Sequence, residues 1–164
     1  MGTVINFKGY TGEIDMININ NIANYLLNKE SMSNKKLQKI CYYAYAWYLT
    51  MYDDYLFTDG GFEAWVHGPV NRELYDRFKG YGWQNIPKNE NKENLSSEIE
   101  EFVGMIYDNF YMHTADELEA MTHAERPWID ARKGLGKNET SVNRIDDNVI
   151  KAFYRSLSEG AQVE

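Results

Sequence analysis

Side chains able to do acid–base, nucleophilic or metal chemistry are few in this chain. His67, His113 and His123 are its only histidines, and Cys41 is its only cysteine. A hydrolase built on His123, Glu125 and Asp130 is the sharpest catalytic arrangement these residues allow, but it lacks a nucleophile. There is no Gly-x-Ser-x-Gly elbow and no cysteine at an exposed turn. No histidine shows metal-ligand spacing, and Gly134-x-Gly136 has no strand before it or lysine-serine pair after it to cradle a phosphate. The expectation is a protein with no catalytic residues, metal or cofactor, in which His67 and His123 cap or bridge beside Pro69 and Pro127.

The elements that position these residues are mostly helical. From Leu37 the apolar residues fall at Leu37, Ile40, Cys41, Ala44, Trp47, Tyr48 and Met51, the spacing of one helix face. Tyr42, Tyr43, Tyr45, Ala46 and Leu49 fill most of the remaining circumference, so other elements must cover this helix on several sides. The reading is a mainly α, single-domain helical bundle around a central aromatic helix over about 34–52. Ser33 or Asn34 caps it, and Cys41 is a buried small hydrophobe.

Before it, Asn18 or Asn20 caps a helix with Ile19, Ile22, Ala23, Leu26 and Leu27 inward. After it, the Asp59-Gly60-Gly61 turn predicts a small β-hairpin over about 56–66, with Glu63 and Trp65 on one face. Pro69 then opens a short helix to Lys79. Ser96 caps a helix with Ile99, Phe102, Val103, Ile106, Tyr107 and Phe110 inward, and Thr114 with Glu117 forms a capping box. Pro127 and Trp128 begin a short turn that Gly134 dissolves, and a last helix from about Asp146 turns Val149, Ile150, Phe153, Tyr154 and Leu157 inward. Residues 1–16, with Val4, Ile5 and Phe7 as a short edge strand, are an N-terminal appendage; 17–159 form the domain, and 160–164 a frayed tail.

At 164 residues the chain buries about two-thirds of the surface its unfolded form exposes, without staples. Its formal charge of -8 opposes phosphate contacts and argues against direct nucleic-acid binding. No apolar run is long enough to span a membrane, and one cysteine excludes an internal disulfide, which fits a cytoplasmic protein. The 13 tyrosines and 4 tryptophans serve either an aromatic core or a protein-binding surface. Lys35, Lys36 and Lys39 gather at the start of the central helix, against its dipole, as an exposed basic cluster that could meet an acidic partner.

The chain resembles the SocA-like family, also called the Panacea antitoxin domain, with its GepA-type phage-associated proteins. The matching stretches are Asn24-Tyr25-Leu26-Leu27, Leu37-Gln38-Lys39 running into Tyr42-Tyr43-Ala44-Tyr45-Ala46-Trp47-Tyr48-Leu49, Phe62 to Val70, Leu74-Tyr75, Phe78-Lys79, Tyr81-Gly82, and Thr122 to Arg132. The resemblance implies a mostly helical antitoxin, often encoded on a prophage or mobile element, that neutralises a cognate toxin by direct protein contact. A branch of the family hands its toxin to an ATP-dependent protease. The alternatives are a protease adaptor or a phage-encoded inhibitor of a host protein, and a homo-oligomer is compatible with each. The residues that carry the motifs are Glu63, Trp65, His67, Gly68, Pro69, Arg72, His123, Glu125, Pro127, Trp128 and Arg132, in structural or partner-binding roles. Glu63, His67, His123, Glu125 and Arg132 are expected to form one buried network linking the hairpin to the second Pro-Trp turn.

Overall fold

A 19-residue helix, α2 (Asn34–Tyr52), runs through the middle of the molecule, and 14 of its residues are buried. Only coverage from several directions allows this. In the computed structural model, which describes residues 17–163, that cover comes from α1 (Ile19–Lys29), α3 (Arg72–Phe78), α4 (Ser97–Phe110), α5 (Ala115–His123) and α7 (Asp147–Val163), with α6 (Arg126–Ala131) packed on α7. The expected appendage over 1–16 and residue Glu164 lie outside the described residues. The backbone is helical through Val163. Among the described residues, no helix is long and apolar enough to cross a membrane.

The aromatic residues of α2 go into the core. Tyr42, Tyr43, Tyr45 and Tyr48 are all within 1% of complete burial. Tyr43 stacks on Phe110 at 4.2 Å, while Tyr42 meets Phe62 and Tyr48 meets Phe102 edge-on, geometries that favour aromatic pairs beyond the area they bury. Their hydroxyls reach partners: Tyr45 donates to Asp147 at 2.8 Å and Tyr43 to Glu125 at 3.1 Å. Buried phenols with acceptors of this kind let a tyrosine-rich helix be central at little polar cost.

The helix starts follow local chemistry. Asn18 and Asn21 form a reciprocal capping box, Ser33 accepts from the Lys36 N–H, Ser96 from Ile99, and Thr114 with Glu117 closes a second capping box. Pro127 sits in the first turn of α6. Met51 and Leu157, expected inward, are 47% and 46% exposed.

The hairpin lies further along the chain than the expected 56–66. It pairs β2 (Glu63–Trp65) with β3 (Gly68–Val70), antiparallel, turning at Val66-His67. Tertiary bonds explain the shift. The Asp59 carboxylate accepts the Ile19 N–H at 3.1 Å, and the Gly61 carbonyl accepts from Asn71 Nδ2 at 2.9 Å, so this turn is committed to α1 and the start of α3. Pro69 correspondingly lies in β3 and does not open α3, which Asn71 caps. Proline is tolerated there because its partner Ala64 turns its own N–H outward, to the Asn143 carbonyl at 2.8 Å, so that pair needs no donor from Pro69. A second ladder of two residues a side joins β1 (Met32–Ser33) to β4 (Asn85–Ile86).

Candidate functional site

The two motif stretches meet across the hairpin. Trp128 Nε1 donates to the Trp65 carbonyl at 2.8 Å, and Arg132 Nη1 donates to the Ala64 carbonyl at 3.0 Å. Arg132 is 6% exposed and its other donors reach the Gly136 and Glu139 carbonyls. His123 stacks on one side of this group, 3.9 Å from the Trp128 ring centroid, and the Arg132 guanidinium lies 5.1 Å from the same ring. Burial lowers the His123 pKa, which favours the neutral ring in this stack.

The single charged network expected of Glu63, His67, His123, Glu125 and Arg132 is not what forms. Glu63 takes Trp65 Nε1 at 2.8 Å and Arg72 Nη2 at 2.9 Å on the solvent side. His67, at the hairpin tip, approaches Glu119 at 3.2 Å. Glu125 accepts from Tyr154 at 2.7 Å and Tyr43 at 3.1 Å, and burial raises its pKa against those bonds. The α6 side chains hold the hairpin through its backbone carbonyls, which carry no net charge. Among the described residues no hydrogen bond or ion pair joins His123 to Glu125, so the hydrolase arrangement is not assembled, and no three His, Cys, Asp or Glu side chains gather for a metal.

The expected basic cluster is not exposed either. Lys39 is 1% exposed, because the helix face that carries it lies under β3 and α5. Lys35 bonds Asp116 at 2.7 Å and Glu119 at 2.6 Å; burial acts to lower its pKa, but these bonds outweigh that and raise it. Lys36 donates to the Tyr111 carbonyl at 2.6 Å.

Lys39 reaches the hairpin because Gly68 gives way. Gly68 has φ +112, and a Cβ there would overlap Lys39 Cε. The adjacent Gln38 side chain behaves as a strand partner, donating to the Asn71 carbonyl at 3.0 Å and accepting the Asn71 N–H at 2.9 Å.

Between α2, the hairpin and the segment after α3 lies a cleft of about 640 Å³. Trp65, Val66, Val70, Tyr75, Val142 and Trp83 give it apolar walls, and among the described residues its charged lining side chains are basic, Lys35, Lys39, Arg72 and Lys79, with no Asp or Glu; burial pushes the Lys39 pKa down to about 7. Trp83 at the rim is 73% exposed, edge-on to His67 at 5.7 Å, with Lys35 Nζ 5.7 Å from its ring centroid. Of the residues lining it, the sequence named Trp65, His67 and Arg72 as family-motif residues in structural or partner-binding roles, and it missed Trp83 and, beside the cleft, the pairing of Gln38 with Asn71. The signal for Gln38 was a polar residue in a helix otherwise apolar nearly all round. Trp83 stands alone between Gly82 and Gln84, where no periodicity could flag it. The arrangement can hold an anionic group beside apolar matter, and among the described residues it shows no paired acid, base and nucleophile.

Known proteins place this geometry in a family. The family described as "Antitoxin SocA-like, Panacea domain" matches residues 37–129, which span α2, the hairpin and the Trp128 stack. The chain is also 31% identical over 152 residues to "Antitoxin SocA" of Caulobacter vibrioides (strain NA1000 / CB15N), covering 82% of this chain and 80% of that one. No solved structure matches. The chain belongs to the SocA-like antitoxins with a Panacea domain.

Proposed function

We propose that the protein neutralises a cognate protein toxin by direct binding in the cytoplasm, using the cleft and its hairpin rim as part of the contact surface. The observation that carries this reading is Trp83. It is 73% exposed at the mouth of a cationic, apolar-walled cleft surrounded by family-motif residues. Exposed aromatics beside desolvated pockets are where protein interfaces concentrate their energy. The whole chain's net charge of -8 suits a basic partner. Glu63, Trp65, His67 and Arg72 shape the contact surface, while Glu125, Pro127, Trp128 and Arg132 hold the scaffold behind it.

The experiment is co-expression with the small genes beside this one in its host, scored by growth and by co-purification. A small toxic product whose toxicity this chain relieves, recovered with it in fixed stoichiometry, establishes the reading. Recovery of an ATP-dependent protease or a host enzyme in the toxin's place overturns it in favour of an adaptor or inhibitor.

A further inference from the structure

Among the described residues Lys39 has no counter-charge of its own, and burial pushes its pKa down to about 7, so near neutrality its amine stands between the neutral and the charged form. It is 1% exposed at the inner wall of the cleft, and it donates a single hydrogen bond, 3.2 Å to the Pro69 carbonyl. An ammonium has three donors. The carboxylate that acts on it, Glu119, is already engaged by Lys35 Nζ at 2.6 Å and by His67 Nδ1 at 3.2 Å. The chain accommodates Lys39 by placing Gly68 at a positive φ that a side chain would not adopt. Burying a cation in this state is costly, which is what pulls the Lys39 pKa down; an anion entering the cleft would restore the charged form and meet the donors that Pro69 leaves unused.

The surroundings narrow the class of anion. Arg72, the fork that would grip a phosphate, is committed to Glu63, and Lys79 to Asp76 at 3.3 Å. What remains uncommitted is the single Lys39 amine under the walls of Trp65, Val70, Tyr75 and Trp83, able to take one positive charge, which matches one monovalent anion on an apolar body. Trp83, 73% exposed at the rim, carries the apolar wall outward from the cleft, where a body that extends beyond the cleft can cover it. We propose that the cleft binds a carboxylate carried on an apolar segment of the protein partner, with Lys39 as its counter-charge and Trp65, Tyr75 and Trp83 as its walls. The identity of the partner rests on the proposed function; the chemistry of the site does not.

The test uses 4-phenylbutyrate as probe and 4-phenylbutyramide as its uncharged control, titrated into the whole chain while the indole N–H signals of Trp65 and Trp83 are followed by NMR. The acid should bind about tenfold more tightly than the amide, the size of one charge-assisted bond. Lys39→Met, close in shape and relieved of a buried charge, should keep its melting temperature and bind both probes alike. Should that variant not fold, Val142→Glu on the exposed wall of the cleft serves instead, since a carboxylate there should weaken the acid and leave the amide unchanged. Equal binding of acid and amide by the wild type, no saturable shift of either indole, or a preference for the acid that survives these substitutions overturns the site.

A second arm addresses the occupant. In the complex with the toxin that this chain relieves, both 4-phenylbutyrate and Lys39→Met should loosen the toxin. If the probe binds through Lys39 while the complex ignores both, the ligand is a free acid and the assignment to a partner is overturned. If no toxin complex forms at all, the proposed function and the partner assignment fall together, and the titration alone decides the chemistry of the cleft.

Discussion

Glu125 is a carboxylate held by two phenols, and among the described residues no cation pairs with it. Tyr154 and Tyr43, each 1% exposed, both donate to its Oε1. Glu125→Ala would leave two buried hydroxyls without that acceptor, and a loss of about 2–4 kcal/mol in urea unfolding is expected. Glu125→Gln keeps an oxygen at that position and should stay within about 1 kcal/mol of wild type. The pH dependence separates them further. Burial raises the Glu125 pKa above its unfolded value, so its contribution to stability is fully present below the unfolded pKa and is lost as pH rises through the folded one. Wild type should therefore gain on the Gln variant as pH falls from neutrality towards the raised value. A constant difference between the two would refute the raised pKa.

Arg132 and Glu63 differ more than their shared place in the motifs implies. Arg132 is 6% exposed and serves three backbone carbonyls, so Arg132→Ala leaves the buried Ala64 carbonyl and two partly covered ones without their donor and should cost about 3 kcal/mol. Glu63 pairs with an Arg72 side chain that is 53% exposed, and Glu63→Ala should cost about 1 kcal/mol or less. Similar melting-temperature losses in the two variants would contradict the division between scaffold and surface.

At the scale of the element, β3 is fixed by what passes beneath it. Gly68 lets Lys39 run under the hairpin, and Gly68→Ala meets both the positive φ and the Lys39 Cε. A loss of about 2–3 kcal/mol is expected, of which shortening Lys39 to Ala in the same chain should restore the part due to the clash, leaving the backbone strain. Strict additivity of the two substitutions would show that the lysine and the glycine do not meet. The helices α1, α2, α4 and α5 were legible in the sequence because each announces itself twice, by apolar periodicity and by a capping residue, Asn18, Ser33, Ser96 or Thr114. The hairpin was misplaced because Asp59-Gly60-Gly61 is a strong turn signal whose meaning depends on distant partners, Ile19 and Asn71. A ladder as short as that of β1 and β4 has no period to read. In the site, the motif residues of the hairpin and of α6 were legible as a family pattern. The burial of Lys39 was not, since a lysine at a helix start reads as solvated until β3 and α5 are laid over it.

At the scale of the molecule, a chain of net charge -8 holds a cleft whose charged lining side chains, among the described residues, are all basic. The net charge and the cleft make two kinds of demand on a partner. Long-range attraction to the net charge sets the rate of encounter and weakens with salt, whereas contacts at the cleft set the lifetime of the complex. Trp83 belongs to the second kind. Its side chain is largely in solvent, so Trp83→Ser should leave the melting temperature within about a degree, as surface substitutions do. If its ring is an anchor covered by the toxin, the same change should cost about 2 kcal/mol of binding, a roughly thirtyfold faster dissociation with little change in association. Raised salt should do the reverse, slowing association while leaving dissociation nearly constant. A Trp83→Ser protein that relieves toxicity and holds its toxin as long as wild type would place the contact surface elsewhere on the bundle.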